Sequence, residues 1–238
     1  MIKRFVCLAN SFKEGGRCLA GVELDNDNKI VIENDQPKWI RPICKTPHGE
    51  VPTYLVAEIR ILDIIEVDVT GYPADRGYQS ENVYFREDHI VIKGAFKKEH
   101  LDSLCANRSL IFGNRGKAVN EDALDSLDYS LLFIKITEFE FYEKTYEDNP
   151  NEPQSRLLFD YKGNKYDLPI TDPVALTNLR RNPDFYENKE ELFLSLSLGV
   201  CYKGWCYKLV AGVLTSVNAT VIVQPTFYSS DADNDLPF

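Results

Sequence analysis

Short runs of β-branched and aromatic residues, broken by small polar clusters, open the chain. Residues 2–9 (IKRFVCLA), 18–24 (CLAGVEL), 29–32 and 39–43 (WIRPI) are separated by Gly15-Gly16, Asp25-Asn26-Asp27-Asn28 and Asp35-Gln36-Pro37. That punctuation predicts a β-meander. Residues 61–69 (ILDIIEVDV) form a further apolar run stopped by Gly71-Tyr72-Pro73, and 82–85 with 89–92 read as a hairpin. The first 95 residues thus carry five to seven short strands, enough to close a small barrel.

The period changes between 96 and 128. Phe96, Leu101, Leu104 and Cys105 fall near helical spacing, and Glu121–Leu127 reads as a second short helix. Strand patterning returns at 131–142 (LLFIKITEFEFY), followed by a hairpin of 156–161 and 164–170 around Lys162-Gly163-Asn164. Asp172 can cap a helix that begins with Pro173 and carries Val174, Leu176 and Leu179 on one side. Strict alternation in 192–200 (LFLSLSLGV) and a run at 205–214 (WCYKLVAGVL) flank Tyr202-Lys203-Gly204, a final hairpin. The expected architecture is mainly β: two oligonucleotide-binding (OB)-like β-barrels at 1–95 and 129–225, joined by a helical connector at 96–128, with a flexible acidic tail at 226–238. A single large β-sandwich is the competing reading of the same strands.

A family resemblance agrees with the two-barrel reading. Phe5–Ser11 with Gly16–Gly21, then Trp39-Ile40-Arg41-Pro42, Gln79–Asn82 and Leu168–Pro173 resemble the bacterial dual OB domain family over most of residues 1–225. The resemblance implies two such barrels and a nucleic-acid-binding role. It supplies no catalytic residues.

Composition narrows the function. The net charge of −10 is unusual for a nucleic-acid binder, whose affinity comes largely from cations that displace phosphate counterions. The charge is uneven, however: 76–119 carries eight Lys and Arg against five acids, and 120–160 three against eleven, so a basic face can exist on an acidic protein. Six scattered cysteines without paired Cys-x-x-Cys spacing read as buried reduced thiols, and a zinc site on Cys201 and Cys206 with His48 or His89 is the weaker alternative. The chain opens without an apolar signal-type segment, and no stretch approaches 18 apolar residues, so a cytoplasmic protein outside the membrane is expected. No metal or cofactor is expected. The carboxylates at Glu138, Glu140, Glu143, Glu147 and Asp148 are strung along a strand and loop rather than converging, and no hydrolase or kinase motif is present, so no catalytic residue is assigned.

A barrel that holds a single strand needs aromatic faces for bases and cations along the backbone track. Two clusters offer both. Trp39 and Arg41 share one strand face, as do Trp205 and Tyr207, the latter with Lys203 and Lys208 nearby. Lys97 and Lys98, the Asn114-Arg115-Gly116-Lys117 loop, and Arg17 after Gly15-Gly16 complete the candidate set.

The chain's last residues carry a different signal. Asp231, Asp233 and Asp235 precede Leu236-Pro237-Phe238, placing an aromatic ring and the α-carboxylate on one terminal residue. This tip resembles the acidic C-terminal tip of bacterial single-stranded DNA-binding proteins and implies docking by terminal-carboxylate capture. The sequence therefore points to a single-stranded nucleic-acid binder, with single-stranded DNA as the first ligand, that recruits repair or replication partners through its tip. A defence-system or phage adaptor that mimics the tip without strong nucleic-acid binding, and a nucleic-acid-processing enzyme, are the rivals.

Overall fold

The computed structural model describes residues 1–74, 77–147 and 149–216. Strands β1 (Ile2–Lys13) and β2 (Gly16–Leu24) form a hairpin around Glu14-Gly15, both with positive φ, the turn geometry that matches strand twist. A two-residue ladder of β3 (Ile32–Glu33) and β4 (Gln36–Pro37) turns through Asn34-Asp35, residues whose short polar side chains tolerate the left-handed region. Then follow β5 (Trp39–Ile43), the one-turn helix α1 (Thr53–Val56), β6 (Asp63–Gly71) and β7 (Asn82–Ala95). The strands close in the order β1-β2-β5-β7-β6, with β5 and β7 parallel and the remaining pairs antiparallel. This is a five-stranded Greek-key barrel with its helix between the third and fourth strands. Phe5, Leu19, Ile40, Val56, Ile65 and Val67 fill its interior.

The second half repeats that path with a gap in its wall. Strands β9 (Leu131–Ile136) and β10 (Phe139–Tyr146) are the two arms of a first strand bent at Thr137-Glu138. The first arm pairs with β13 (Leu192–Tyr202) and the second with β11 (Asn149–Tyr161), which pairs with β12 (Asn164–Pro169). Strand β14 (Trp205–Thr215) pairs with β13, and a parallel bridge from Ile170 to Val210 joins the two sheets on the far side. Helix α2 (Pro173–Arg181) again lies between the third and fourth strands. Asp172 caps it, accepting from Val174 N–H at 2.9 Å, and its other oxygen accepts from Val213 N–H at 2.9 Å, which ties the helix to β14. A short strand β8 (Ala118–Asn120) adds to the outside of β14. The structure is therefore mainly β, a closed barrel and a curled, partly open one, and the single-sandwich reading falls.

Three expectations change in detail. Residues 82–85 and 89–92 are not a hairpin but parts of one continuous strand, β7, which pairs with β5 and β6. The connector is built from 3-10 turns at Lys98–Leu104 and Glu121–Ser126 rather than α-helices; Leu101 and Leu104 are both buried at the three-residue spacing that a 3-10 turn aligns. Cys201 and Cys206 are also joined by a disulfide, not left as thiols, because they are direct cross-strand partners beside a tight turn. Cys7, Cys18 and Cys44 are buried free thiols. Among the described residues no cluster has the makings of a metal site, so the pairing of Cys201 and Cys206 takes the place of the zinc alternative.

The barrels meet through the outer face of β1 and β2. Val6, Leu8, Val22 and Leu24 pack with Leu101 and Leu104 of the connector and with Phe133 and Phe193 of the second barrel, whose rings stack at 5.7 Å. Ala9 and Ala20, paired across β1 and β2, meet Leu131 and Ala211. Full burial of each branched side chain contributes about 1.5–3 kcal/mol. At Gly212 the approach is so close that a Cβ would run into the Leu8 carbonyl oxygen, and next door the Ser195 hydroxyl donates to that oxygen. Arg41, 2% exposed, crosses the seam: it donates to Asn82 Oδ1 at 3.2 Å and to Ser130 Oγ at 2.9 Å, and lies 3.5 Å from Glu81 Oε1. Glu81 Oε1 in turn accepts from Ser130 N–H at 3.1 Å and its hydroxyl at 2.6 Å.

Arg41→Ala removes one member of this buried pair and leaves the Glu81 charge uncompensated, so urea unfolding should show a loss of about 3–5 kcal/mol. Gly212→Ala should destabilise by several kcal/mol, on the order of the largest single-residue effects, because the obstructing atom is backbone and cannot rotate away. A wild-type urea midpoint for either variant would contradict the seam described.

Candidate nucleic-acid interface

An OB barrel offers an oligonucleotide the outer face of its second and third strands and the loops after its first and fourth strands. In the first barrel those strands are β2 and β5, and their outer side chains Ala20, Val22, Leu24 and Arg41 are buried in the seam. That face is closed. Arg41, expected as a backbone-tracking cation beside Trp39, is instead an internal strut, because the shared face of the two residues turns toward the second barrel. Trp39, at the start of β5, stays half-buried.

The second barrel presents its fourth-to-fifth-strand loop openly. Lys203 and Gly204, both with positive φ, make a two-residue turn, so Tyr202 and Trp205 are direct partners. Strand alternation sends Cys206 and Lys208 inward and leaves Trp205 and Tyr207 outward. Tyr202, Trp205 and Tyr207 are 55%, 46% and 40% exposed on one face of the hairpin. On the β8 side, Trp205 faces Asn120 and Tyr207 faces Ala118, a side chain too small to cover the ring. Lys203 Nζ lies 5.0 Å from the Tyr202 ring centre, the geometry of a cation–π contact.

Arg115 and Lys117, both exposed, enter this neighbourhood on the loop that leads into β8. Lys208 holds that loop. Fully buried, its ammonium donates to Ile111 O at 2.6 Å, Asn114 O at 2.8 Å and Asn114 Oδ1 at 2.9 Å, with the Tyr166 ring 5.2 Å away. Burial pushes its pKa down to about 7, while three acceptors oppose deprotonation by using every ammonium proton. Lys208 was expected as a surface cation. It is a peg beneath the platform, and its backbone N–H also binds the Lys117 carbonyl at 2.9 Å, fixing the basic loop against β14. Asn114 Oδ1 accepts from Gly116 N–H at 2.8 Å, which shapes the turn between Arg115 and Lys117.

The remaining candidates lie elsewhere. Lys98 reaches the Thr215 carbonyl at the opposite end of β14, about 30 Å from Trp205 by strand rise, and exposed Lys97 pairs with Glu99 at 3.6 Å. The half-buried Arg17 rests over the Phe12 ring at 4.3 Å on the first barrel. The structure thus groups Arg115, Lys117, Lys203, Trp205 and Tyr207, and leaves Arg17, Lys97 and Lys98 outside that group. Asp231, Asp233, Asp235, Leu236, Pro237 and Phe238 lie outside the described residues.

Sequence reasoning missed Tyr202, although a two-residue turn makes it the partner of Trp205. It also missed a cleft of about 370 Å³ between the barrels, lined by Trp39, Tyr72 and Glu81 on one side and Arg108 and Tyr129 on the other. Nothing local in 106–129 announces that those residues face β5.

The dual OB-containing domain model matches residues 3–213. Among solved structures, one chain of a replication protein A heterotrimer bound to ssDNA aligns with a TM-score of 0.34 and 11% identity. The alignment covers 92% of this chain and 49% of that one, so this chain spans about half its length. No curated protein matches the chain. With a closed five-stranded barrel, a second barrel following the same strand path, and a family model spanning both, the chain belongs to the dual OB-containing domain family.

Proposed function

We propose that this protein is a non-enzymatic binder of single-stranded nucleic acid, with single-stranded DNA its first ligand, and that the strand lies across the hairpin platform of the second barrel. One observation carries this reading: three partly exposed rings share a face beside Arg115, Lys117 and Lys203. Bases stack on such rings regardless of sequence, and each stacked base contributes about 1–3 kcal/mol. The cations supply phosphate contacts that the net acidic surface otherwise lacks. The first barrel acts as a buttress, since its usual binding face is spent on the seam. The terminal tip, Asp231–Phe238, recruits repair or replication proteins that capture its ring and carboxylate. The expected setting is the cytoplasm.

Fluorescence anisotropy with a labelled oligothymidine tests the platform. Trp205→Ala and Tyr207→Ala should each weaken binding by roughly tenfold, within the range for one lost stack. Lys117→Ala should weaken binding and lower the salt slope by about one, as expected for a lost phosphate contact, whereas Lys97→Ala should change neither. Unaltered affinity in Trp205→Ala would overturn the reading. Removing Asp231–Phe238 should leave strand affinity equal or higher at low salt and abolish partner pull-down; capture that survives loss of Pro237 and Phe238 would refute the docking role.

A further inference from the structure

Two residues that line the cleft between the barrels each carry a buried polar atom whose bonding is incomplete. Glu81 Oε1 is occupied by Ser130 and Arg41, but Glu81 Oε2 is buried and has no hydrogen-bond partner among the described residues. Its side chain is 4% exposed and lines the cleft. Across from it, the Arg108 guanidinium stacks 4.2 Å over the Tyr129 ring, and Arg108 Nε is likewise buried without a partner among the described residues. A buried carboxylate oxygen without a donor has lost its hydrogen bonds to water and gained none in return, so a ligand that donates to it restores one.

Size, shape and charge narrow the ligand. The cleft volume lies at the low end of the range for small-molecule sites, room for one nucleoside rather than a strand. Trp39, Tyr72 and Tyr129 bring rings from both barrels, which suits a flat heterocycle. The lining carboxylates Glu23, Glu33, Glu81 and Asp128 outnumber the cations Lys3, Lys38 and Arg108. Lys3 is already paired with Glu23, and Lys38 with Glu33 at 2.7 Å. No surplus of positive charge remains to hold a phosphate inside. The ligand is therefore neutral and aromatic, and it donates a hydrogen bond.

We infer that this cleft takes one unstacked nucleobase bearing an exocyclic amino group, which donates to Glu81 Oε2 while the base ring lies among the aromatic side chains of the two barrels. Cytosine, adenine and guanine carry such a donor, and thymine and uracil present only oxygens at their exocyclic polar positions. The site deepens the strand-binding reading by naming a base class that the stacking platform itself does not discriminate, and it rests on that reading only for its place in function.

Free nucleosides test the site apart from any strand. With Trp205→Phe, Trp39 is the sole indole of a chain that has two, and its emission reports the cleft. Cytidine and adenosine should change that emission saturably, at concentrations at least tenfold below those needed with uridine or thymidine. Glu81→Gln should abolish the tenfold preference. Because Glu81 also holds Arg41, Arg108→Ala serves as the second variant: it should weaken cytidine binding at least fivefold with an unchanged urea midpoint. Equal responses to cytidine and uridine, no saturable response, or unchanged cytidine binding in Arg108→Ala would overturn the inference. Oligothymidine lacks the amino group, so the platform assay reads independently of this one.

Discussion

The close packing of the first barrel's β1–β2 face against the second barrel is the constraint on which the rest depends. Four branched side chains, a paired alanine patch, a glycine that admits no Cβ and a buried Arg41–Glu81–Ser130 network all lie along that one seam. Its consequence is an exclusion. The surface that an OB barrel ordinarily presents to a polynucleotide is, in barrel one, solid protein interior. Two OB barrels in one chain therefore do not amount to two equivalent binding faces.

What remains open follows from that exclusion. The second barrel's last hairpin projects its rings because β13 and β14 turn through only two residues, which forces Tyr202 against Trp205 and keeps alternation strict as far as Tyr207. The basic loop beside it is fastened from beneath by a buried lysine, while its own Asn114 shapes its turn. The cleft exists because the barrels touch along β1–β2 but diverge near the start of β5, where Trp39 is left half-covered. Stacking platform and cleft thus have different origins, one in a local turn and the other in the docking of the two barrels.

Much of the fold was legible because its signals are local. Gly15, Asp35, Gly163 and Gly204 mark turns by their own backbone preferences, and Asp172-Pro173 marks a helix start. The site was legible only in part. Trp205 and Tyr207 were found by the two-residue period, and the same period places Lys208 on the other face, beside Cys206; nearness in sequence was the wrong guide there. Arg41 failed for a different reason. Its face was correctly paired with that of Trp39, but Ser130 lies 89 residues away, and no local pattern reports that a second barrel covers the strand. The near-continuous apolar run CLAGVEL in β2 was the available clue, since a strand covered on both sides loses its alternation.

The central claim is that a single strand engages the second barrel's hairpin while the seam stays shut. Hydrogen–deuterium exchange with and without oligothymidine tests this most directly. The account predicts slower exchange in residues 113–120 and 200–208 on binding, with residues 16–24 and 39–43 unchanged. Altered exchange in 16–24 and 39–43 with none at 200–208 would mean that the barrels part to expose the first barrel's face, and would contradict it.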